Sequence, residues 1–324
     1  MSAAAPLRHE GRDLGGVAFI LTAAACFATL GPLSVFADRG GVSALTLVTW
    51  RAAIGASCVL LLLAVWRAGG RSSGLIPLSA IPLRDRWFVA GAAFANMVLN
   101  LSAFIAFQRI GITLSLLVFY LYPAFVALVS VVWLGDRLDR LRWGALIMSL
   151  VGSVLVVAGA GTFGELDVLG IGLALLGALG QTFYVIAARY GFARIPGPQA
   201  AIMTMAGAAG IYVVIAAAFV GAGTLLQPLE GFNAAWPVVL AGVIGAGVPT
   251  VLYITGIRRL GPPRAAILAT FEPVVGVGLA ALLLGERPGI VQLLGGLLII
   301  GAGIVLQLRP HADIGEHEAV EIRP

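Results

Sequence analysis

The sequence predicts an all-α membrane protein with ten transmembrane helices, arranged as two inverted five-helix repeats. Three observations lead to this fold class. The composition is too apolar for a soluble domain, ten stretches have the length and hydropathy of membrane spans, and an internal repeat relates positions that lie 150 residues apart. The first two observations define the class of protein, and the third defines the relation between its halves.

The composition places the chain in a lipid bilayer. Of its 324 residues, 60% are hydrophobic and 11% are charged, and the mean hydropathy is +1.02. A soluble domain carries about 25% charged residues. The 43 glycines fit the same environment, because small residues let membrane helices approach one another closely.

Ten apolar stretches are long enough to cross a hydrocarbon core that is about 30 Å thick. They cover residues 14–36, 43–66, 87–108, 111–134, 141–161, 166–188, 199–222, 236–257, 262–284 and 289–308. We assign the first five to one repeat, 14–161, and the last five to a second, 166–308. The polar tails, 1–13 and 309–324, are expected to be mobile. No cleavable signal peptide is predicted, because the first stretch has full spanning length and further spans follow it.

The arginines predict the orientation of the spans. All 20 basic residues are arginine, and with the N-terminus placed in the cytoplasm, 16 lie on that side, 3 lie on the other and Arg51 lies within a span. Such a bias predicts that both termini are cytoplasmic and that the number of spans is even. Because the arginines stand singly or in short clusters between spans, the basic charge does not indicate a nucleic-acid partner.

An internal repeat appears when the sequence is shifted by 150 residues. The aligned positions are Arg109-Ile110-Gly111 with Arg259-Leu260-Gly261, Pro123 with Pro273, and Leu134-Gly135-Asp136-Arg137 with Leu284-Gly285-Glu286-Arg287. Each half holds five predicted spans, an odd number, so the halves must lie in opposite orientations. Inverted repeats are a recurrent design of transporters, whose substrate sites lie near the midplane between the repeats.

Three short motifs link the chain to a known family. They are Thr49-Trp50-Arg51, the segment from Tyr122-Pro123 to Gly135-Asp136-Arg137, and the segment from Glu272-Pro273 to Gly285-Glu286-Arg287. With these motifs the chain, over about residues 14–308, resembles the EamA-type members of the drug/metabolite transporter superfamily. Asp136 departs from the pattern, since glutamate is commoner there.

The resemblance carries expectations about fold and activity. It implies ten helices around a central cavity, alternating access, and export of amino acids, other metabolites or toxic compounds. Within the superfamily, the chain resembles the YddG-like amino-acid exporters.

Glu272 is the only acidic residue deep inside a predicted span. A charged side chain at the bilayer centre costs roughly 2.5–3.5 kcal/mol on insertion scales. Glu272 is therefore expected to have a purpose, either binding a proton or a substrate amine, or satisfying backbone groups that Pro273 leaves free. The sequence leaves both alternatives open. Tyr122, beside Pro123, holds the equivalent position in the first half.

Other polar side chains on the spans are candidates for lining a cavity. Asn96 and Asn100, and likewise Gln181 and Tyr184, share a helix face, and amide side chains are costly in lipid. Singly, each is explained by an interhelical hydrogen bond of about 0.6 kcal/mol. Together they predict a substrate site suited to a zwitterion or a neutral polar molecule, formed by Asn96, Asn100, Tyr120, Tyr122, Gln181, Tyr184, Thr250, Tyr253 and Glu272.

Prolines within spans predict hinges or gates, because each leaves a carbonyl one turn earlier without its usual donor. A kink that serves packing alone is the alternative. The candidates are Pro32, Pro123, Pro249 and Pro273. The two Gly-acid-Arg segments are interpreted as charged turns, with a gate role as the alternative.

Arg51 has three possible roles: binding a substrate carboxylate, snorkelling, or clamping helix-end carbonyls. The resemblance favours a structural role, because the family carries this arginine whatever its substrate.

The same residues disfavour several other functions. The three histidines lie in the tails and the two cysteines in apolar stretches, so no metal site and no cofactor is predicted. The spans lack the paired Asp, Ser–His or His-rich sets of an intramembrane enzyme, and no P-loop indicates direct use of ATP. An inverted repeat argues against a channel.

The sequence thus favours a secondary transporter in the bacterial inner membrane. Its partners are the lipid bilayer and a small-molecule substrate, with amino acids first and export the expected direction. Protons are the candidate coupling ion through Glu272, and a monomer suffices. Multidrug efflux in the same fold is the alternative, with Glu272 serving cations.

Overall fold

The computed structural model describes residues 13–70, 74–136, 138–159, 167–284 and 288–306. Within these ranges all regular structure is helical, which confirms the predicted all-α class. The α-helices are α1 (Leu14–Ala28), α2 (Leu30–Arg39), α3 (Ala44–Ala68), α4 (Leu83–Phe119), α5 (Tyr122–Val132), α6 (Arg140–Ala158), α7 (Val168–Ile186), α8 (Gly197–Ile215), α9 (Phe232–Gly242), α10 (Val248–Leu260), α11 (Pro262–Ala269), α12 (Glu272–Leu284) and α13 (Ile290–Val305).

Short helical turns of other kinds join several of these helices. Three π turns extend α7, α8 and α9, at Ala187–Gly191, Ala216–Val220 and Val243–Gly247, and 3-10 turns occur at Leu78–Ala80 and Ala222–Leu229. Arg137, the Gly285-Glu286-Arg287 motif and nearly all of both predicted tails lie outside the described residues.

Eight helical stretches in the described part of the chain are long and apolar enough to cross a membrane. They cover Leu14–Arg39, Ala44–Ala68, Ser115–Val132, Arg140–Ala158, Val168–Gly191, Gly197–Val220, Phe232–Leu260 and Pro262–Leu283, and the shorter α13 is also apolar. Large apolar side chains cover their outer faces. Val168, Phe219 and Leu282 are each more than 80% exposed, which suits a surface that faces lipid. The chain is therefore a multi-pass membrane protein.

Helix α4 contains a reversal of the chain direction. Its 37 residues would span about 55 Å if the helix were straight. Yet Gly177 on α7 faces both Ser102 and Phe119, because a Cβ built on Gly177 would lie 3.1 Å from the Ser102 hydroxyl and 3.8 Å from a Phe119 ring carbon. A straight helix would separate these two residues by about 25 Å. The chain therefore turns back between them, and both arms of α4 pack against α7.

Each predicted hinge proline follows an interruption of a helix. A proline ring supplies no N–H and clashes with the carbonyl four residues before it. Accordingly, α1, α4 and α11 end four residues before Pro32, Pro123 and Pro273, and Pro249 follows the π turn Val243–Gly247. Two of these breaks obey the 150-residue shift, since α5 begins at Tyr122 and α12 begins at Glu272.

Arginine side chains hold together the end of the molecule that the arginine bias places in the cytoplasm. The Arg258 guanidinium donates to the carbonyls of Ala188, Phe192 and Ile195 at 2.7–3.0 Å. These carbonyls belong to the end of α7 and the turn into α8, where intrahelical donors run out. Arg259 pairs with Asp13 at 3.5 Å. Connections that are far apart in sequence thus meet at one end.

Different contacts close the opposite end. The Trp50 indole N–H donates to the Leu225 carbonyl at 2.7 Å, and Arg109 pairs with Asp167 at 2.6 Å. Asp167 also accepts from the Leu169 backbone N–H and so caps α7. The hydrogen bond from Arg109, followed by that from the backbone, holds the pKa of Asp167 below its ordinary value. Segments that the arginine count assigns to opposite sides of the membrane therefore lie at opposite ends of the structure.

Helices α6 and α13 pack through their backbones at two glycines. A Cβ on Gly295 would lie 2.6 Å from the Gly152 carbonyl oxygen, and a Cβ on Gly152 would lie 2.7 Å from the Gly295 oxygen. Backbone atoms cannot swing aside as side chains do. The two helices can therefore approach this closely only because both positions lack a side chain.

We expect Gly295→Ala to lower the free energy of unfolding by about 1–3 kcal/mol, the usual cost of overpacking. Thermal unfolding of the detergent-solubilised protein provides the measurement. Gly296→Ala is the matched control, because its Cβ would meet the Val274 side chain at 3.6 Å, an ordinary contact. Equal unfolding midpoints for the two variants would contradict the close packing of α6 on α13.

Candidate functional site

Polar side chains from six helices gather in the middle of the structure, between its two ends. They form two groups. The Arg51 cluster consists of Arg51 on α3, Asn96 and Asn100 on α4, Tyr212 on α8 and Thr250 on α10. The tyrosine cluster consists of Tyr120, Tyr122 on α5, Gln181 on α7 and Tyr253 on α10.

A chain of hydrogen bonds orders the Arg51 cluster. Arg51 Nη1 donates to Asn100 Oδ1 at 2.9 Å. Because a guanidinium only donates, the amide oxygen of Asn100 must face it. The Asn100 amide nitrogen then donates to the Asn96 carbonyl at 2.7 Å and to the Asn96 side chain at 3.1 Å. The Tyr212 hydroxyl donates to the Met97 carbonyl at 3.3 Å. Helices α3, α4 and α8 are thus joined at one level.

A small cavity opens inside the Arg51 cluster. All five members of the cluster contribute to its lining, together with small and apolar side chains such as Ala52 and Ala246. Its volume of about 20 Å³ accommodates roughly one water molecule. The cavity in this structure is therefore too small to hold a metabolite.

Aromatic rings enclose the tyrosine cluster. The Gln181 amide donates to the Tyr253 hydroxyl at 3.1 Å, and the Tyr122 hydroxyl donates to the Ala266 carbonyl at 3.4 Å. The Phe27 ring packs edge-on against Tyr253, with centroids 5.9 Å apart. Phe119 packs against Tyr120 and Tyr122 at 5.6 and 5.4 Å. The cluster lies at the two broken helices, because Tyr122 begins α5 and Ala266 lies one turn before the end of α11.

Glu272 lies between the two clusters as the first residue of α12. Its charge interacts with Arg51 on one side and with Tyr120, Tyr122 and Tyr253 on the other. Among the described residues, its carboxylate has no hydrogen-bond donor and no ion-pair partner. The N-terminus of α12 and the positive charge of Arg51 both favour its negative charge. Glu272 is therefore a partly buried acid that remains available to a proton or a cation.

The structure brings most of the predicted site residues together. Eight of them, all except Tyr184, belong to the two clusters or, as Glu272, lie between them. Tyr184 lies on the side of Arg258, with its buried hydroxyl beside Thr204 and without a hydrogen bond. The described residues contain no group of three or more His, Cys, Asp or Glu that could hold a metal ion.

Tyr212 belongs to the Arg51 cluster but is not among the site residues predicted from the sequence. It stands alone within its predicted span and has no polar partner at helical spacing, which is the signal that drew attention to the Asn and Gln pairs. The sequence offered only a weaker indication that Tyr212 faces inward, namely a phenol in the middle of a span rich in alanine and glycine. Tyr212 is 1% exposed, so this span turns the phenol inward.

Both halves of the chain match the same protein family. The EamA-like transporter family matches residues 14–158 and again residues 168–308. A solved crystal structure superimposes with a TM-score of 0.75 at 22% sequence identity, covering 92% of this chain and 99% of that chain. At this identity the likeness shows a common fold.

Curated relatives are named as transporters. YxxF of Bacillus subtilis, an uncharacterized transporter, is 24% identical over 208 residues, 63% of this chain and 64% of that protein. An uncharacterized transporter of Synechocystis, sll1319, is 26% identical over 66% of this chain and 64% of that protein. YcbK of Bacillus subtilis, also an uncharacterized transporter, is 25% identical over 86% of this chain and 88% of that protein. The chain spans slightly less than two thirds of the first two relatives.

The bond between Gln181 and Tyr253 can be tested by a double-mutant cycle. We expect Gln181→Leu and Tyr253→Phe to be non-additive by about 0.6 kcal/mol, the mean for interhelical hydrogen bonds in membranes. Thermal unfolding in detergent is the measurement. As the control pair we choose Gln181→Leu with Thr255→Val, because the Thr255 hydroxyl bonds to Val251 of its own helix. Additivity in both pairs would show that the Gln181–Tyr253 bond does not join α7 to α10.

Proposed function

Because the chain belongs to the EamA-like transporter family, we propose that this membrane transporter is a secondary carrier of small metabolites. We place it in the bacterial inner membrane, with amino acids as its first substrate class and export as its direction. Its relatives are named as transporters, which supports transport as the activity. These names give no substrate, so the substrate class is argued from the side chains of the site.

The proposed topology has ten spans with both termini in the cytoplasm. Eight long stretches and the shorter α13 account for nine, and the first arm of α4, before the chain reverses, supplies the tenth. Two repeats, at 14–161 and 166–308, are supported by the paired family matches and by the helix breaks at Pro123 and Pro273. Five spans in each repeat make the halves inverted, as in other secondary transporters.

The observation that carries the function is the carboxylate of Glu272, which no described residue pairs, among buried polar groups where two helices are broken. Ionisable groups inside a membrane are expensive, and their usual purpose is a substrate or ion pathway. Phenols, amides and one carboxylate together suit a small polar molecule with an ammonium group, which amino acids carry. Glu272 would bind this ammonium group or, between transport steps, a proton.

Transport by this site requires alternating access. A cavity that holds about one water must widen toward each side in turn. The interruptions before Pro32, Pro123, Pro249 and Pro273 provide the places where helix segments can bend without breaking regular hydrogen bonds. We propose that these prolines are hinges and that the carrier works as a monomer.

Multidrug efflux is the second candidate function, and a specific feature favours it. The rings of Tyr120, Tyr122, Tyr253, Phe27 and Phe119 surround the region next to Glu272. Aromatic faces beside a carboxylate attract organic cations. A lipophilic cation without a carboxylate would use this half of the site alone.

Counterflow in proteoliposomes distinguishes the two candidates. We expect vesicles loaded with unlabelled L-threonine, L-leucine or L-phenylalanine to accumulate the corresponding radiolabelled amino acid at equal pH on both sides. Protein-free vesicles set the background. Exchange of labelled tetraphenylphosphonium without any amino acid would replace the proposal with drug efflux. Exchange of neither class would contradict both candidates.

Proton coupling is tested by Glu272→Gln. We expect the variant to lose accumulation driven by a pH gradient, down to the level of protein-free vesicles, because the amide cannot take up and release a proton. The control is Glu230→Gln, which changes an exposed acid outside the predicted spans and should leave accumulation unchanged. If Glu272→Gln accumulates substrate as the wild type does, the coupling ion is not bound at this residue.

A further inference from the structure

Arg51 differs from the arginines that stabilise the ends of the helices. Arg258 donates to three backbone carbonyls, and Arg86 donates to the carbonyls of Ile81 and Ser79. Arg51 donates to no backbone carbonyl in the described part of the chain. Its single hydrogen bond goes sideways, to the Asn100 side chain at 2.9 Å. A clamp on helix-end carbonyls, one of the roles considered from the sequence, is therefore not what this side chain does.

The position of Arg51 also argues against snorkelling. The residue lies eight positions after Ser43, the N-cap of α3, which places it about 12 Å below that end of the helix. Its guanidinium lines the interior cavity together with Asn96, Asn100 and Thr250. The side chain thus points across the molecule toward α4, and its charge stays inside.

Most hydrogen-bonding capacity of Arg51 remains unused. A guanidinium has five N–H donors, and one of them is bonded to a residue that the structure describes. The Thr250 hydroxyl, which lines the same cavity, also makes no hydrogen bond with the residues that the structure describes. The cavity therefore presents several free donors and one positive charge, which is the complement of a small anionic group. Planar carboxylates fit a guanidinium in a two-pronged arrangement.

The negative charge of Glu272 limits which anionic ligands could bind beside Arg51. It interacts electrostatically with Arg51, yet the two form no ion pair. A ligand with two negative charges, such as a phosphate ester, would be repelled by the nearby carboxylate. A ligand with one carboxylate and one ammonium group would meet opposite charges at both places. Each buried charge would then have a partner.

We infer that the Arg51 cavity is the subsite for the carboxylate of the transported molecule, with the Asn100 side chain orienting the guanidinium and Thr250 supplying a further donor. The ammonium group of the same molecule points to Glu272. The substrate class is therefore the zwitterion, and a free carboxylate is required for transport. This inference rests on the proposed function, which it deepens by assigning a residue to each end of the substrate.

The wild-type protein provides the first test. Proteoliposomes are loaded with L-leucine, L-threonine or L-phenylalanine, and exchange is challenged with the matching amino-acid amide and methyl ester, which keep the ammonium group and lose the carboxylate charge. We expect the amide and the ester to compete at least about tenfold more weakly than the free amino acid, as is usual for loss of a hydrogen-bonded charge. Equal competition by all three would overturn the inference without any variant.

The second test uses Arg51→Met. The variant should raise the half-saturating concentration of the free amino acid by about tenfold or more, while competition by the amide and the ester changes little. Arg51→Lys keeps the charge without the planar fork and should give an intermediate value. Arg39→Met is the matched control, because Arg39 is an exposed arginine in the last turn of α2, outside the site. All variants are first compared by thermal unfolding in detergent.

The outcomes separate this inference from the function on which it rests. If the wild type exchanges no amino acid, the proposed function fails and the carboxylate subsite fails with it. If the wild type exchanges amino acids but Arg51→Met weakens acid, amide and ester equally, transport of amino acids stands and the subsite is refuted. Loss of discrimination against the amide and the ester, specific to Arg51→Met, supports the subsite.

Discussion

The absence of water in the hydrocarbon core governs this structure. Every backbone N–H and carbonyl that lies there must find a partner within the protein, which is why the described residues form helices and no other regular structure. The places where a helix stops inside the protein are therefore costly and informative. Breaks ahead of Pro123 and Pro273 occur beside the tyrosine cluster, where polar side chains are at hand. Interruption of helices and accumulation of polar groups are thus two results of one constraint.

The same constraint distinguishes two environments of arginine in this protein. At one end of the molecule, Arg258 occupies three carbonyls that helix α7 and its following turn leave without donors. Deeper inside, Arg51 has one hydrogen-bond acceptor among the described residues and lines a cavity. A cation that the protein leaves so incompletely paired in a membrane interior is explained best by a ligand that completes it. The sequence alone does not tell an arginine that binds helix-end carbonyls from one that lines a cavity. The hydrogen-bond acceptors around each guanidinium do.

Much of the fold could be predicted from the sequence, because hydropathy and proline positions act locally. The all-α class and the apolar stretches follow from composition, and the ends of α1, α4 and α11 follow from a proline four residues later. The site was harder to predict from the sequence. Whether Arg51 meets Asn100 depends on which faces of α3 and α4 pack together, and no local pattern encodes that contact. Tyr212 joins them from α8 for the same reason, across more than a hundred residues of sequence.

Helices α5 and α12 begin at equivalent positions of the repeat, but one begins with a phenol and the other with a carboxylate. The starts of these two helices follow the repeat, and the charge of their first side chains does not. In a carrier that opened to the two sides in turn, the exposure of Glu272 to water would change between the two conformations, and the equivalent residue, Tyr122, carries no charge that would balance the difference. Such a carrier is expected to bind the same solute with different apparent affinities at the two faces of the membrane.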